Sequence, residues 1–244
     1  FPYPKINLFH ILVIVTYFMV KSFLILIICK IFLFAGEQII LVVADDFNSQ
    51  RATLSCFEDN KKVFDSFEVN LGKSGLGHGL GEVEFVHSLQ EPLKQEGDKK
   101  APIGIFALEA VFGYEKEIET KMPYLYASED LICVDDSDSN FYNKIIKTPK
   151  VMPKSFEKMK RDDAQYELGI VVGHNKEQIR EAGSCIFLHV ESTKDAPTAG
   201  CTSMKLEEIT RVVSWLDKSK NPTLIQVTKQ QLSQISKLYP DLKF

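Results

Sequence analysis

The stretch Ser184-Cys-Ile-Phe-Leu-His-Val190, with Pro197-Thr-Ala-Gly-Cys201 and the residues Leu206, Ile209, Val212, Val213 and Leu216 behind it, carries the fold reading. Residues 184–190 form a continuous apolar run of strand length. Beyond Cys201 the apolar residues recur at three- and four-residue spacing, which predicts a helix. Glu207 and Glu208 would sit in its first turn and Lys218 near its end, as the helix dipole favours. Strand, loop, cysteine and helix thus follow one another within about thirty residues. Working outward, Leu168–Val172 (LGIVV), Ile39–Ala44 (IILVVA), Ala52–Phe57 and Val63–Val69 read as further strands, with a turn at Glu58-Asp-Asn-Lys61. A last strand is predicted at Leu224–Val227. A helix from Thr228 follows, where Thr228 and Gln231 have the spacing of a capping box. The fold class is mixed α/β and strand-dominated.

The chain has 244 residues, 45% hydrophobic and 25% charged, enough for one well-packed domain. Such a composition excludes a disordered, collagen-like or repeat protein. A net charge of -4 argues against a nucleic-acid binder, which would carry a basic stripe. Five cysteines are too few for a disulfide scaffold of this length.

Residues 6–35 are apolar almost throughout, interrupted by Lys21 and Lys30. Read from Met19, the segment has a short basic start, an apolar stretch to Phe34 and the small pair Ala35-Gly36, the layout of an export signal. Its length also suits a membrane anchor. Residues 1–36 are therefore expected to be a signal peptide or N-terminal anchor that inserts in or passes through the inner membrane. Residues 37–227 would then be one domain, and 228–244 a C-terminal helix packed on it. The glycine-rich stretch from Gly72 to Gly81 has neither G-x-G-x-x-G nor Walker spacing and is expected to be a mobile turn. Residues 91–100 are polar and read as a loop. His78 and His87 are expected near the surface.

Cys201 is the strongest candidate for chemistry. A thiol just before a helix meets unpaired N–H groups and the positive end of the dipole, which lower its pKa. Gly200 allows a tight turn and leaves N–H groups open to a substrate oxygen. His189 ends the preceding strand, and an imidazole can accept the thiol proton. The competing reading makes Cys201 a small buried hydrophobe and His189 a core histidine. Cys56, Cys133 and Cys185 lie in strand-like runs and read as core, a Cys56–Cys133 pairing remaining open. No cofactor or metal is expected, because Cys185, His189 and Cys201 would need His174 as a fourth ligand.

These residues resemble a family. Ile186-Phe-Leu-His189 followed by Thr198-Ala-Gly-Cys201 is similar to the active-site motif of the L,D-transpeptidases, the YkuD-like catalytic domain. Val69-Asn-Leu-Gly72-Lys73 and Ala101-Pro-Ile-Gly104-Ile-Phe106 resemble its upstream segments. Gly183–His189, Arg161-Asp-Asp163, Tyr166 and His174-Asn175 look like a divergent bacterial branch. The resemblance covers most of residues 37–227. It departs at Ala199, where the motif has a second histidine, at Ser203, where many members have arginine, in a shorter spacer, and in residues 78–100, which look like an insertion.

The resemblance implies a YkuD-like β-sandwich or barrel-type domain with a helix following the cysteine. It implies a cysteine-dependent acyltransferase acting on peptidoglycan stem tetrapeptides in the periplasm or cell envelope. Cys201 would be the nucleophile and His189 the base, with the N–H groups of Gly200, Cys201 or Thr202 as oxyanion hole. Thr198, His174, Arg161 and Tyr166 would bind substrate, His174 replacing the missing histidine and Arg161 the missing arginine. The third member of the triad is not identified by sequence, and a backbone carbonyl would suffice. An acceptor amine would give a cross-link and water an L,D-carboxypeptidase. Another exported cysteine hydrolase, or a wall-binding module without catalysis, are the alternatives.

Overall fold

Gln38–Ala44 (β1) is apolar at all but its first position and buried at all but Val43, as a strand covered on both faces must be. A computed structural model of the chain describes residues 37–243 and builds a closed barrel around this strand. β1 pairs in parallel with β14 (Thr223–Thr228) on one side and antiparallel with β2 (Arg51–Glu58) on the other. From β14 the barrel continues through β6 (Ala101–Gly113), β11 (Leu168–Val172), β12 (Phe187–Val190), β13 (Thr202–Met204) and β4 (Phe67–Asn70), and it closes on β2. Eight strands thus form a mixed barrel, in which β12 and β13 are the second parallel pair. The short β3 (Lys61–Lys62) extends the β2 hairpin, and β5 (Leu76–His78) and β7 (Tyr124–Tyr126) add to β6.

Two short helices are present among the described residues. Helix α1 (Leu206–Trp215) buries Ile209, Val212 and Val213 of the predicted stripe, and Leu216 is buried just beyond its end, but Leu206 at its start is exposed. It ends at Trp215, so Lys218 falls in a following 3-10 turn. Thr228 and Gln231 do form a reciprocal capping box, which opens a 3-10 turn leading into α2 (Leu232–Leu238). Ile235 of α2 is buried in the main core, so this C-terminal helix is part of the barrel's packing.

Outside the barrel, β8 (Leu131–Cys133), β9 (Ile145–Lys147) and β10 (Glu157–Lys158) form a small antiparallel sheet. A disulfide from Cys133 to Cys185 ties it to the segment entering β12. Cys56, the other cysteine of the core, is free and buried, so the Cys56–Cys133 pairing is corrected. The predicted strand at 184–190 begins only at Phe187, because Cys185 has a left-handed φ of 53°, which no strand accommodates. The strand predicted at 63–69 is likewise shortened to Phe67–Asn70.

The glycine-rich stretch is not a mobile turn. Gly75, at φ 78°, lies so close to the Phe47 carbonyl that a Cβ would stand 2.0 Å from its oxygen. Its neighbours Leu76, Gly77 and His78 are buried in β5, so these glycines serve close backbone approach. The segment expected to be a signal or anchor, residues 1–36, lies outside the described residues. No helix among the described residues is long and apolar enough to cross a membrane.

Candidate active site

Alternation along β12 divides the molecule into its two apolar clusters. Leu188 and Val190 point into the barrel core, whereas Phe187 packs with Phe112, Tyr166, Met159 and Cys201 on the other side. Phe187, Tyr166 and Phe112 meet edge to face, with ring centroids 5.1–5.6 Å apart. His189 shares the Phe187 face and stands edge-on to Tyr166 at 5.4 Å. Its Nδ1 lies 2.8 Å from the Val190 carbonyl. Nδ1–H as the donor makes that contact a hydrogen bond and leaves Nε2 as the free acceptor. The orienting group that the sequence left open is therefore a backbone carbonyl.

Cys201 does not sit at a helix N-terminus, which corrects the expectation. It closes a turn before β13, and the three residues of that strand and Lys205 separate it from α1. The turn is held by Thr198, whose hydroxyl donates to the Cys201 carbonyl at 2.6 Å and accepts the Gly200 N–H at 3.1 Å. Gly200 takes a φ of 145°, open to glycine alone at little cost. The backbone of Thr198 bonds to Leu71 and Lys73, so the segment at 69–73 is the anchor of the cysteine loop.

The thiol itself is buried. The Phe187 N–H donates to Sγ at 3.3 Å, and Sγ lies 3.5 Å from the Cys185 carbonyl. Burial pushes the thiol up to about 12, and Glu157 adds to the rise. The Phe187 N–H, Lys94 and Arg161 pull the other way. Burial likewise lowers His189 to about 4, so its imidazole is neutral at pH 7. The two side chains line one cleft of about 510 Å³. No hydrogen bond joins them among the described residues. The β12–β13 register puts Cys201 beside Phe187, two residues and thus roughly 7 Å along the strand from His189.

The other expected site residues divide. Arg161 and Tyr166 line this cleft, the guanidinium 5.0 Å from the centre of the tyrosine ring. Arg161 is already engaged by Asp163, whose carboxyl it holds well below the usual range. Tyr166 donates to Glu157, a buried carboxyl that desolvation raises. Thr198 lines the cleft but spends its hydroxyl on the turn. The Gly200 N–H is committed to Thr198, whereas no acceptor stands against the Cys201 N–H among the described residues. The Thr202 hydroxyl turns away to Gln226, and its backbone lies in the β13 ladder.

His174 is not part of the site. Its Nε2 bonds the Ala182 carbonyl at 3.0 Å, its Nδ1 accepts the Leu80 N–H at 3.3 Å, and its ring packs on Phe106. It lines a separate cavity beside the disulfide, so it replaces no catalytic group and completes no zinc site. Cys185 is withdrawn from that zinc set by its disulfide. His78 is buried rather than superficial and lines a third cavity with His87.

Comparison with family models, with curated proteins and with solved structures finds no match.

Sequence reasoning missed Lys94 and Glu157, both in this cleft. Lys94 lies in a polar loop and Glu157 in a two-residue strand, so neither carries a periodic signal. Glu96 was missed too. It accepts hydrogen bonds from Tyr142 and Ser184 and lines the cleft.

Proposed function

We propose that the chain is a cysteine-dependent acyltransferase of the L,D-transpeptidase type, acting on peptidoglycan stem tetrapeptides in the cell envelope. One observation carries the reading: Cys201 and His189 line the same cleft, with His189 held in the tautomer that presents Nε2 as a proton acceptor. The disulfide supports an oxidising compartment.

In this reading Nε2 takes the thiol proton and Sγ attacks the carbonyl that joins the diamino acid to D-Ala. The carbon–sulfur bond forms, the carbon–nitrogen bond breaks, and the proton passes from His189 to the leaving D-Ala amine. An amine or a water then takes the acyl group from sulfur, giving a cross-link or a trimmed peptide. The Cys201 N–H is the oxyanion donor left free by the turn. Arg161, Glu157 and Lys94 give the cleft charges of both signs, which suit a substrate bearing both an ammonium and a carboxylate.

The test is incubation of the full chain, wild type and Cys201→Ala, with purified tetrapeptide muropeptides, read by mass spectrometry. The expected result is a thioester adduct on Cys201, with D-Ala released by the wild type alone. Dimers or tripeptides then identify the acceptor. A second reading, a wall-binding module without catalysis, draws on the thiol's raised pKa and its lack of a hydrogen bond to His189. It predicts neither adduct nor product, and muropeptide binding unchanged by Cys201→Ala.

A further inference from the structure

We propose that Lys94 is a positioning residue whose buried ammonium, threaded between Gly183 and Gly200, stabilises the thiolate of Cys201. The inference rests on the reading of Cys201 as the nucleophile.

The Lys94 side chain is 4% exposed, a rare state for lysine. Two glycines make its path. A Cβ at Gly183 would stand 3.0 Å from the lysine Cε and 3.2 Å from its Cγ, and a Cβ at Gly200 would lie 3.7 Å from Nζ. Both glycines have positive φ, 92° and 145°, so backbone shape and side-chain passage make the same demand. The ammonium therefore arrives beside the residue that precedes the thiol. There it donates to the Gln95 carbonyl at 2.7 Å and to Asp98 at 2.5 Å. An ammonium carries three donors, so one remains, and Lys94 lines the Cys201 cleft.

The surrounding charges leave this role to Lys94. From β10, Glu157 faces the thiol and opposes its ionisation. Arg161, from the segment before β11 and engaged by Asp163, acts on the thiol in the same sense as Lys94 but less strongly. Tyr166 and His189 face the cleft as neutral groups at pH 7, and Glu96, Lys99 and Asp135 complete its charged lining. The Gly200 N–H, which would otherwise stabilise negative charge beside the sulfur, is spent on Thr198. A buried cation is worth more there than a surface one, because little water screens it.

Asp98 makes the inference testable in both directions. It is the counter-ion of Lys94 and also accepts the Gln95 and Lys100 N–H groups, so it sets how much of the positive charge reaches the sulfur. The experiment is iodoacetamide alkylation of the full chain between pH 8 and 10, with peptide mass spectrometry separating Cys201 from Cys56. Lys94→Met is expected to slow Cys201 alkylation about tenfold at each pH, one pKa unit. Asp98→Asn is expected to speed it several-fold. A purely structural role predicts faster alkylation in both variants, since loosened packing opens the cleft, and that result overturns the proposal. Unchanged rates overturn it as well. If Lys94→Met fails to fold by circular dichroism, the Asp98→Asn rate decides alone, read with its thermal unfolding: acceleration without loss of melting temperature supports the proposal, and any other result overturns it. The probe needs no substrate. Failure of the muropeptide assay therefore leaves this measurement informative, and the two readings fail separately.

Discussion

Thr198 is the residue on which the cysteine turn depends, because one hydroxyl serves two backbone groups of Gly200 and Cys201. Thr198→Val keeps the shape and removes both bonds, leaving a part-buried N–H and carbonyl without partners. Each such loss costs about 1–3 kcal/mol. Urea unfolding should show Thr198→Val destabilised by at least the lower figure, with Thr198→Ser close to wild type; equal stability of all three would show that the turn is held otherwise. At this scale the sequence was readable where chemistry is carried by residue type and failed where it depends on direction. Cysteine, histidine and glycine together mark a candidate site, and Cys201 and His189 do share a cleft. That Gly200 points its N–H at a threonine, or that His174 satisfies both ring nitrogens on the backbone, is set by dihedral angles that no spacing encodes. Burial is equally invisible: a helix N-terminus would acidify the thiol, but burial in the cluster with Phe187 and Tyr166, and then Glu157, raises it instead.

At the scale of elements, the disulfide joins parts that the ladder leaves separate. Cys133 ends β8 in the small outer sheet and Cys185 precedes β12, 52 residues later. Closing a loop of that length removes unfolded-state entropy worth about 4 kcal/mol at most. The double variant Cys133→Ala/Cys185→Ala should lose a large part of this in urea unfolding, and its Cys201 should alkylate faster. The Cys185 carbonyl lies against Sγ, and freeing that segment exposes the thiol. Slow alkylation in a destabilised variant would place the thiol's protection in the aromatic cluster instead. Elements with one strong period were legible: β11 and the buried stripe of α1 fall where the pattern puts them. The short strands of the outer sheet were not, because two or three residues carry no period. Cys185 was misread as strand because an apolar run says nothing of a positive φ. β1 meets β2 as a local hairpin, but its pairing with β14 joins Ile39 to Thr223 and Ala44 to Thr228, far beyond any local signal.

The whole molecule should weaken in mild acid, and the reason lies in histidines held neutral in different places. Burial lowers both His189 and His174 to about 4, against an ordinary value near 6.5. Between those values the unfolded chain binds protons that the folded chain refuses. Stability therefore rises with pH across this window and falls as pH drops through it. From pH 7 to pH 5 each histidine withdraws roughly 2 kcal/mol. His78, lowered chiefly by burial, acts in the same sense. Glu157 acts oppositely: its raised carboxyl takes up a proton in the folded state before it does in the unfolded one, so it offsets part of the loss. Two fully buried imidazoles outweigh one carboxyl, and the net slope keeps the histidine sign. Urea midpoints at pH 7, 6 and 5 should fall in order, while the imidazole NMR signals of the folded protein show His174 and His189 still neutral at pH 5. Midpoints that hold steady while either ring titrates near 6.5 would mean that water reaches it. For His189, that result would also place an imidazole lining the Cys201 cleft in contact with solvent.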